Sequence, residues 1–356
     1  MNRILIMTLS VFLVAGLLLT GCGEVPETQP TLQTQPTETS APTEALPTET
    51  EPAETEAQEE CFLLTLAGDC TLGNEPAHDY APYAFRNQVG EDYGYPFANV
   101  IDYLESDDFT LVNLEGVLCE GGHAANKEYT FRGSPSYVKI LTENSVEAVT
   151  LANNHTLDFG RSGYDSTTTA LEEAGLPYVE RDGSALVTTE SGLTIGLYAV
   201  AFTLDEEDMA AAFADLRERG AEIILFAAHW GTEYSYTPGS EQQRMAYAAI
   251  DAGADIVYGA HPHVLQPIEE YNGGIIFYSL GNFCFGGNMY PRDHDSVLVQ
   301  QEVIRKPDGS VCLGELTVIP VSISSVSGRN NYQPTPYEPG SAEYDRVLEK
   351  LGLDLP

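Results

Sequence analysis

Five short polar clusters lie where apolar runs of the sequence end: GD, NLE, ANNH, HWGTE and GAHPH. Their side chains are carboxylates, an amide and imidazoles: Asp69, Glu115, Asn154, His155, His229, His261 and His263. Four of the seven histidines of the chain fall in the last three clusters. Such mixed oxygen and nitrogen donors suit Mn, Fe or Zn better than Ca. The clusters therefore predict a divalent metal centre, and centres of this kind catalyse hydrolysis by polarising the scissile bond and activating water.

The clusters can meet only if secondary structure brings them together. Apolar runs predict strands at 62–67, 109–114, 147–152, 193–200, 222–228, 255–259, 275–280, 296–304 and 311–320. Helical patterns lie at 97–106, 135–143, 162–174, 206–219 and 240–252, the last with Ser240 as N-cap and Gln243 as its capping-box partner. In parallel α/β sheets the carboxyl ends of the strands share one edge. We therefore expect an α/β fold in which the clusters form one site.

Each cluster, taken alone, also fits a structural role. Asp69 fits a turn or a helix cap, Asn154 fits a left-handed turn position, and His229 fits a buried core histidine. His261 and His263 flank a proline, whose extended preference places alternate residues on one face. The metal interpretation rests on the ordered occurrence of all these donors together.

The clusters stand in longer blocks between about residues 62 and 320: GDCTLG, VNLEGVL, LANNHTLDFG, AAHWGTEY, GADIVYGAHPHVLQP and FYSLGNF. In this order and spacing they resemble the CapA family of poly-gamma-glutamate capsule synthesis proteins. That family is similar in turn to the calcineurin-like metallophosphoesterases. The resemblance implies a four-layer α-β-β-α sandwich and a site with two metals bridged by a carboxylate.

The metallophosphoesterase pattern implies six metal ligands in this chain: Asp69, Glu115, Asn154, His229, His261 and His263. By this resemblance, Asp69 and His263 belong to the first metal, whereas His229 and His261 hold the second. Glu115 stands where the bridging carboxylate is expected.

The same pattern implies roles beside the metals. His155 would stabilise the transition state or protonate the leaving group. Asn113 and Asn153 are interpreted as hydrogen-bond partners that orient the ligands, and Glu233 as an orienting or substrate-facing carboxylate.

Two positions depart from the metallophosphoesterase pattern. Thr71 stands where the pattern has a histidine, so the first metal lacks one nitrogen ligand. Glu115 replaces an aspartate in an altered motif. The resemblance therefore leaves open whether one or two ions bind.

The N-terminal residues resemble a bacterial lipoprotein leader. Arg3 precedes an almost unbroken apolar run from Ile4 to Leu19, which ends in Leu-Thr-Gly-Cys at Cys22. This pattern predicts a signal peptide at 1–21 that is cleaved, so that Cys22 carries the lipid. An uncleaved N-terminal membrane helix is the alternative. Both interpretations place the rest of the chain on the extracellular face of the cytoplasmic membrane.

Residues 22–60 are rich in Pro, Thr, Glu, Gln and Ala, with ten acidic residues and no basic one, which predicts a disordered tether. From residue 61 onward, 44 acidic and 15 basic residues give a formal charge of −29. This charge argues against nucleic acid and anionic lipid as partners. Membrane contact is therefore expected through the lipid anchor only, with the functional domain at 61–325 and a C-terminal extension at 326–356.

Besides Cys22, the chain has five cysteines and no CxxC pair. An odd number cannot close completely into intramolecular disulfides. We expect small buried residues, with a bridge between Cys70 and Cys119 as the alternative.

Two functions fit these observations. The first is a metal-dependent hydrolase acting outside the membrane on a phosphoester, or on an amide bond of an envelope polymer such as poly-gamma-glutamate. The second is a non-catalytic accessory lipoprotein that binds or anchors this polymer or capsule synthase subunits. The acidic surface predicts that polyglutamate binding needs bridging cations.

Overall fold

The computed structural model describes residues 4–6 and 58–354. The predicted signal peptide, except for residues 4–6, lies outside this part of the chain, as do Cys22 and nearly all of the acidic linker. Among the helices of the described residues, none is long and apolar enough to cross a bilayer.

Strands make up most of the described structure. They are, in chain order, β1 (Ile4–Ile6), β2 (Glu60–Thr71), β3 (Phe109–Leu114), β4 (Val117–Leu118), β5 (Arg132–Gly133), β6 (Ala148–Thr150), β7 (Tyr178–Val179), β8 (Gly183–Thr188), β9 (Thr194–Ala201), β10 (Ile223–His229), β11 (Ile256–Ala260), β12 (Ile268–Tyr271), β13 (Gly274–Phe277), β14 (Asn282–Phe285), β15 (Asp295–Arg305), β16 (Val311–Ser322) and β17 (Thr335–Pro336).

Helices follow many of the strands. They are α1 (Phe85–Val89), α2 (Ile101–Leu104), α3 (Val138–Thr142), α4 (Gly160–Ala174), α5 (Glu206–Glu218), α6 (Ser240–Asp251) and α7 (Ala342–Lys350), with short 3₁₀ turns at Pro76–His78 and Pro135–Tyr137. Capping interactions determine where two of these helices begin or end. The Asp205 carboxylate accepts two backbone N–H groups at the start of α5, and Gly175 ends α4 in a left-handed conformation.

Two of the sequence predictions for helices need correction. The pattern at 97–106 is helical only in α2, because turns precede it. The cap of α6 lies one residue earlier than predicted. Gly239 is the N-cap, and the Gln242 side chain accepts its backbone N–H at 3.0 Å. Glycine has no side chain, so only this half of the capping box forms.

In the described part of the chain, nine strands form the first sheet, in the order β1-β16-β15-β2-β3-β6-β7, with β14 beside β2 and β17 beside β16. The strands β2, β3, β6 and β7 run parallel, whereas β15 runs antiparallel to β2 and β16. In this sheet the alternating first part of the sequence thus forms parallel pairs, whereas β15 and β17 of the helix-poor last part pair antiparallel with their neighbours.

Among the described residues, six strands form the second sheet, in the order β12-β13-β11-β10-β9-β8. Its central strands are parallel and its two edge strands are antiparallel. A separate parallel pair joins β4 to β5.

Three apolar clusters define four layers. The inner cluster packs the first sheet, through residues such as Leu64 and Leu111, against the second sheet, through residues such as Leu197 and Leu225. A second cluster joins the outer face of the first sheet to α1–α4, and a third joins the outer face of the second sheet to α5 and α6. The order of the layers is therefore α-β-β-α.

The last described residues belong to the same compact unit. Strand β17 pairs with β16, and α7 inserts its apolar residues into the inner cluster: Tyr344, Val347 and Leu348. The described part of the predicted C-terminal extension thus contributes, through α7, to the core between the sheets.

The five cysteines of the described residues are all free thiols. Cys70, Cys119 and Cys284 are buried, and Cys61 is exposed. The predicted alternative of a bridge between Cys70 and Cys119 is therefore wrong, and three of the five fit the interpretation as small buried residues.

Candidate metal centre

The predicted ligands meet at the carboxyl ends of strands from both sheets. Asp69 lies in β2 and Glu115 follows β3, both in the first sheet. His229 ends β10 and His261 follows β11, both in the second sheet. All four are buried. The site therefore spans the junction between the two sheets.

The donor atoms form two overlapping groups. In each group, candidate ligand atoms lie within 4.8 Å of one another. The first contains Asp69, Glu115 and His263, and the second contains Glu115, His229 and His261. Glu115 belongs to both groups. The two groups contain residues of the two ligand sets that the resemblance implies, and Glu115 is common to both.

Asn154 also lies at the second group. Its side-chain oxygen is 2.9 Å from His229 Nε2, and the same nitrogen is 3.6 Å from Glu115 Oε1. An amide oxygen, an imidazole nitrogen and a carboxylate oxygen thus face one another.

Asparagine side chains hold this site in place. Asn113 donates to Asp69 Oδ1 at 2.7 Å, and Asn153 donates to Asn113 Oδ1 at 3.0 Å. The Asn153 oxygen in turn accepts the backbone N–H of His155 at 3.0 Å. A chain of amides therefore links the first aspartate to the histidine loop, as expected of groups that orient ligands.

His155 is held by Asp158, for which the sequence pattern indicates only a turn. Its Nδ1 is 2.7 Å from Asp158 Oδ2, and its Nε2 is 3.8 Å from Glu115 Oε1. A carboxylate oxygen at this distance accepts a hydrogen bond, so we assign the ring proton to Nδ1, from which Lys127 Nζ also lies 3.1 Å away. Nε2 is then free to accept a proton on the side of the site. Asp158 is itself paired to Lys127 Nζ at 2.7 Å.

The hydrogen bonding of Glu115 shows whether the donor atoms fit a metal ion. Both of its oxygens are buried without a hydrogen-bond partner, and so is His261 Nδ1. A buried carboxylate without a partner is costly. A divalent ion would satisfy these atoms, so the residues present fit a metal centre.

Burial also shifts the ionisation of the site. It raises the pKa of Glu115 well above its usual range, with nearby Asp69 adding to this against the charge of His263. It lowers the pKa of His229 well below the usual range and that of His261 to about 4. Burial alone would lower the pKa of His263, but the Glu115 and Asp69 carboxylates raise it to about 10. His229 and His261 are therefore neutral at pH 7, the form that binds metal.

Backbone strain is concentrated around the site. Phe202, Tyr234, His261 and His263 have φ angles of 64°, 61°, 94° and 57°. The left-handed region is unfavourable for residues with such side chains. The Phe202 ring covers His261 at a centroid distance of 4.9 Å. Strain of this kind accumulates where the surrounding fold imposes a functional geometry.

The Thr71 departure from the metallophosphoesterase pattern is visible in the structure. Thr71 is buried at the end of β2, and its hydroxyl has no hydrogen-bond partner. His263 Nδ1 instead lies 2.9 Å from Asn282 Oδ1 and 3.3 Å from Asp69 Oδ2. The protein thus orients His263 but supplies no nitrogen donor at position 71.

Sequence reasoning missed three residues that support the site. Asp158 lies three positions after His155, a spacing that allows the contact and could have indicated it. For Asn282 the FYSLGNF block indicates only a structural role. Lys127 lies in an irregular loop, and its contact with Asp158 depends on tertiary folding that no local signal reveals.

Fold and site together define a two-sheet α/β protein with a candidate metal centre at its sheet junction. A family model described as bacterial capsule synthesis protein PGA_cap matches residues 63–287. The chain therefore belongs to the PGA_cap family.

Two sequence relatives, both named CapA, agree with this assignment. The chain is 31% identical over 326 residues to the capsule biosynthesis protein CapA of Bacillus anthracis, which covers 83% of this chain and 74% of that protein. It is 30% identical to the PGA biosynthesis protein CapA of Bacillus subtilis (strain 168), with 72% of each chain covered. A solved structure, TT1561 of Thermus thermophilus, covers 72% of this chain and 99% of its own, with a TM-score of 0.40 and 9% identity.

Proposed function

We propose that this chain is a metal-dependent hydrolase of capsule or polyglutamate biosynthesis, with a site of the metallophosphoesterase type. One observation carries the proposal. Two donor groups share Glu115, whose oxygens are buried and unpaired, and His155 stands beside them. The family membership supports the biosynthetic context, and the substrate class is a phosphoester or an amide bond of the envelope polymer.

The residues suggest how the reaction is divided. Asp69, Glu115, Asn154 and three histidines would hold divalent ions, which supply Lewis-acid polarisation of the scissile bond. Asp158 keeps the proton of His155 on Nδ1, so Nε2 can exchange a proton on the side of the site. Lys127 fixes Asp158 through their ion pair.

The proposal is tested with the full chain, loaded with Mn and assayed on a chromogenic phosphodiester. We expect turnover that chelation abolishes and that Asp69→Ala removes. If the metal-loaded protein shows no turnover and Asp69→Ala does not differ from it, the hydrolase proposal is wrong for this substrate class.

A non-catalytic accessory role is the second candidate, and Thr71 is the observation that favours it. With no nitrogen donor there, the centre can serve as a cation bridge to an anionic polymer rather than as a reaction centre. This role predicts polyglutamate binding that is lost on chelation and in His261→Ala. Binding that survives both changes would rule out metal-mediated attachment.

We also propose that the protein is anchored by a lipid on Cys22 at the extracellular face of the cytoplasmic membrane. The support is the leader and cysteine pattern of the sequence. Metabolic labelling with palmitate should mark the wild-type chain and not Cys22→Ala, whereas equal labelling of both would contradict the anchor.

A further inference from the structure

Glu233 forms a third donor group beside the two that hold Glu115. Its carboxylate lies with His261 and His263 in a set whose candidate ligand atoms are within 4.8 Å of one another. Unlike Glu115, Glu233 is exposed to solvent. Both carboxylates therefore reach the same two histidines, one from the buried interior and one from the surface.

The loop that carries Glu233 is fixed against these histidines. The backbone N–H of Tyr234 donates to the carbonyl of Pro262, between His261 and His263, at 2.8 Å. One residue further on, the Gln266 side chain donates to the Ser235 carbonyl at 2.8 Å. These bonds keep the backbone on the C-terminal side of Glu233 against the histidine turn.

The local backbone is strained in a way that favours this placement. Tyr234 has a φ of 61°, and the Arg292 guanidinium lies 5.6 Å from its ring centroid. A tyrosine in the left-handed region persists only when its surroundings impose it. The strain is located at the residue that follows Glu233.

Two polar groups of this donor set have no hydrogen-bond partner among the described residues. Among the described residues, no hydrogen bond or ion pair engages the Glu233 carboxylate, whereas exposed Glu241 pairs with Arg244. The buried Nδ1 of His261 has no hydrogen-bond partner either. The group with Glu233 thus contains two residues, Glu233 and His261, that each have a polar atom without a hydrogen-bond partner.

We propose that Glu233 is a further metal ligand, which binds a divalent cation from the solvent side across His261 and His263. This inference rests on the proposed metal centre and extends it. Glu233 adds an oxygen donor to a set in which Thr71 provides no nitrogen. Because it is exposed, Glu233 is also the ligand that an incoming anionic substrate can displace with least disturbance of the fold.

The test measures Mn²⁺ affinity and stoichiometry of the full chain by titration calorimetry and elemental analysis, with no substrate present. We expect Glu233→Gln to weaken Mn²⁺ binding by at least about tenfold, because loss of a group that only supports ligands already costs this much. Glu218→Gln, an exposed change on α5 with the same loss of charge, is the matched control and should leave the affinity unchanged.

Three further outcomes decide whether Glu233 is a metal ligand. If Glu233→Gln binds Mn²⁺ like the wild type while His261→Ala does not, Glu233 is no ligand although the metal centre stands. If the wild type binds no Mn²⁺, the metal centre itself fails. If both glutamine variants weaken binding equally, the effect is general surface charge and the inference is overturned. Thermal unfolding in chelator, expected to be equal in wild type and Glu233→Gln, shows that the fold is intact.

Discussion

Two buried carboxylates in different regions of the molecule have opposite surroundings. Asp295, at the start of β15, accepts from Tyr337 at 2.9 Å and from Arg346 and Lys350 at 2.7 Å. Glu115, at the sheet junction, has no hydrogen-bond partner for either oxygen. Both residues are at most 3% exposed, so burial alone does not separate them.

The two carboxylates differ in whether cationic side chains of the protein form hydrogen bonds with them, and their pKa values shift in opposite directions as a result. Although burial opposes it, Arg346 and Lys350 lower the pKa of Asp295. At Glu115 burial prevails over the opposing charge of His263, and the pKa is raised. Asp295 is thus a structural carboxylate whose cations come from α7. Glu115 has only His263 Nε2, at 3.9 Å, as a charged neighbour and accepts no hydrogen bond, so under the proposed metal centre a bound ion would be its partner.

The largest effect that this comparison predicts is on function. Glu115→Gln should lower hydrolytic turnover on the order of 10³-fold, because several kcal/mol of stabilisation by the metals is lost and each 1.36 kcal/mol is tenfold. Mn²⁺ titration measures metal binding by the variant, and the phosphodiester assay then measures its turnover. In chelator, the variant should be at least as stable as the wild type, since a buried unpaired carboxylate has been removed. A strongly destabilised metal-free variant would show that Glu115 has a structural partner after all.

A smaller effect, on stability alone, is expected at Asp295. Asp295→Asn leaves two cations poorly paired and should cost about 2–3 kcal/mol, less than a fully buried pair because the Arg346 side chain is 45% exposed. Because the folded pKa is lowered, the wild-type contribution is present above the unfolded pKa of about 3.9 and is lost as the pH falls through the folded value. Urea unfolding between pH 3 and pH 7 measures the cost of the substitution and the pH dependence of stability. The variant should lose less stability in acid than the wild type does. Unchanged Mn²⁺ stoichiometry is the control.

The smallest effect is expected at Glu147, whose surroundings are intermediate. It accepts one backbone N–H from Thr110 at 2.6 Å, and burial raises its pKa to about 7. The folded state then binds more protons than the unfolded state between about pH 4.3 and pH 7, so stability falls as the pH rises through this window. Glu147→Gln should remove that slope and stabilise the protein at pH 8 by on the order of 1 kcal/mol, allowing for partial exposure. An equal slope in both proteins by urea unfolding would contradict the assignment.

Much of the fold could be predicted because strand patterns are local. The strand at 109–114 has the predicted bounds, and the other predicted strands lie within a few residues of those observed. The helix at 97–106 was overpredicted because Phe97, Val100 and Leu104 have a spacing that consecutive turns bury as well as a helix does. Periodicity alone cannot separate these two conformations.

The convergence of the donors could also be predicted, since each donor ends a strand and parallel strands share an edge. The supporting contacts could not. Lys127 reaches Asp158 from a loop without periodic pattern, and Asn282 contacts His263 from a strand that follows it by about twenty residues. Such pairings are decided by three-dimensional packing, and the sequence carries no spacing rule for them.

The division of the ligands between two sheets has a mechanical consequence. Asp69 and Glu115 lie in or directly after strands of the first sheet, whereas His229 and His261 lie in or directly after strands of the second. The Tyr258 hydroxyl already links the sheets by donating to the Ala67 carbonyl at 2.6 Å. A bound ion would cross-link the two sheets at the site and would resist sliding of one sheet over the other. Metal at 100 times its dissociation constant would add about 2.7 kcal/mol against unfolding. The free metal concentration would then set the stability of the junction between the two sheets.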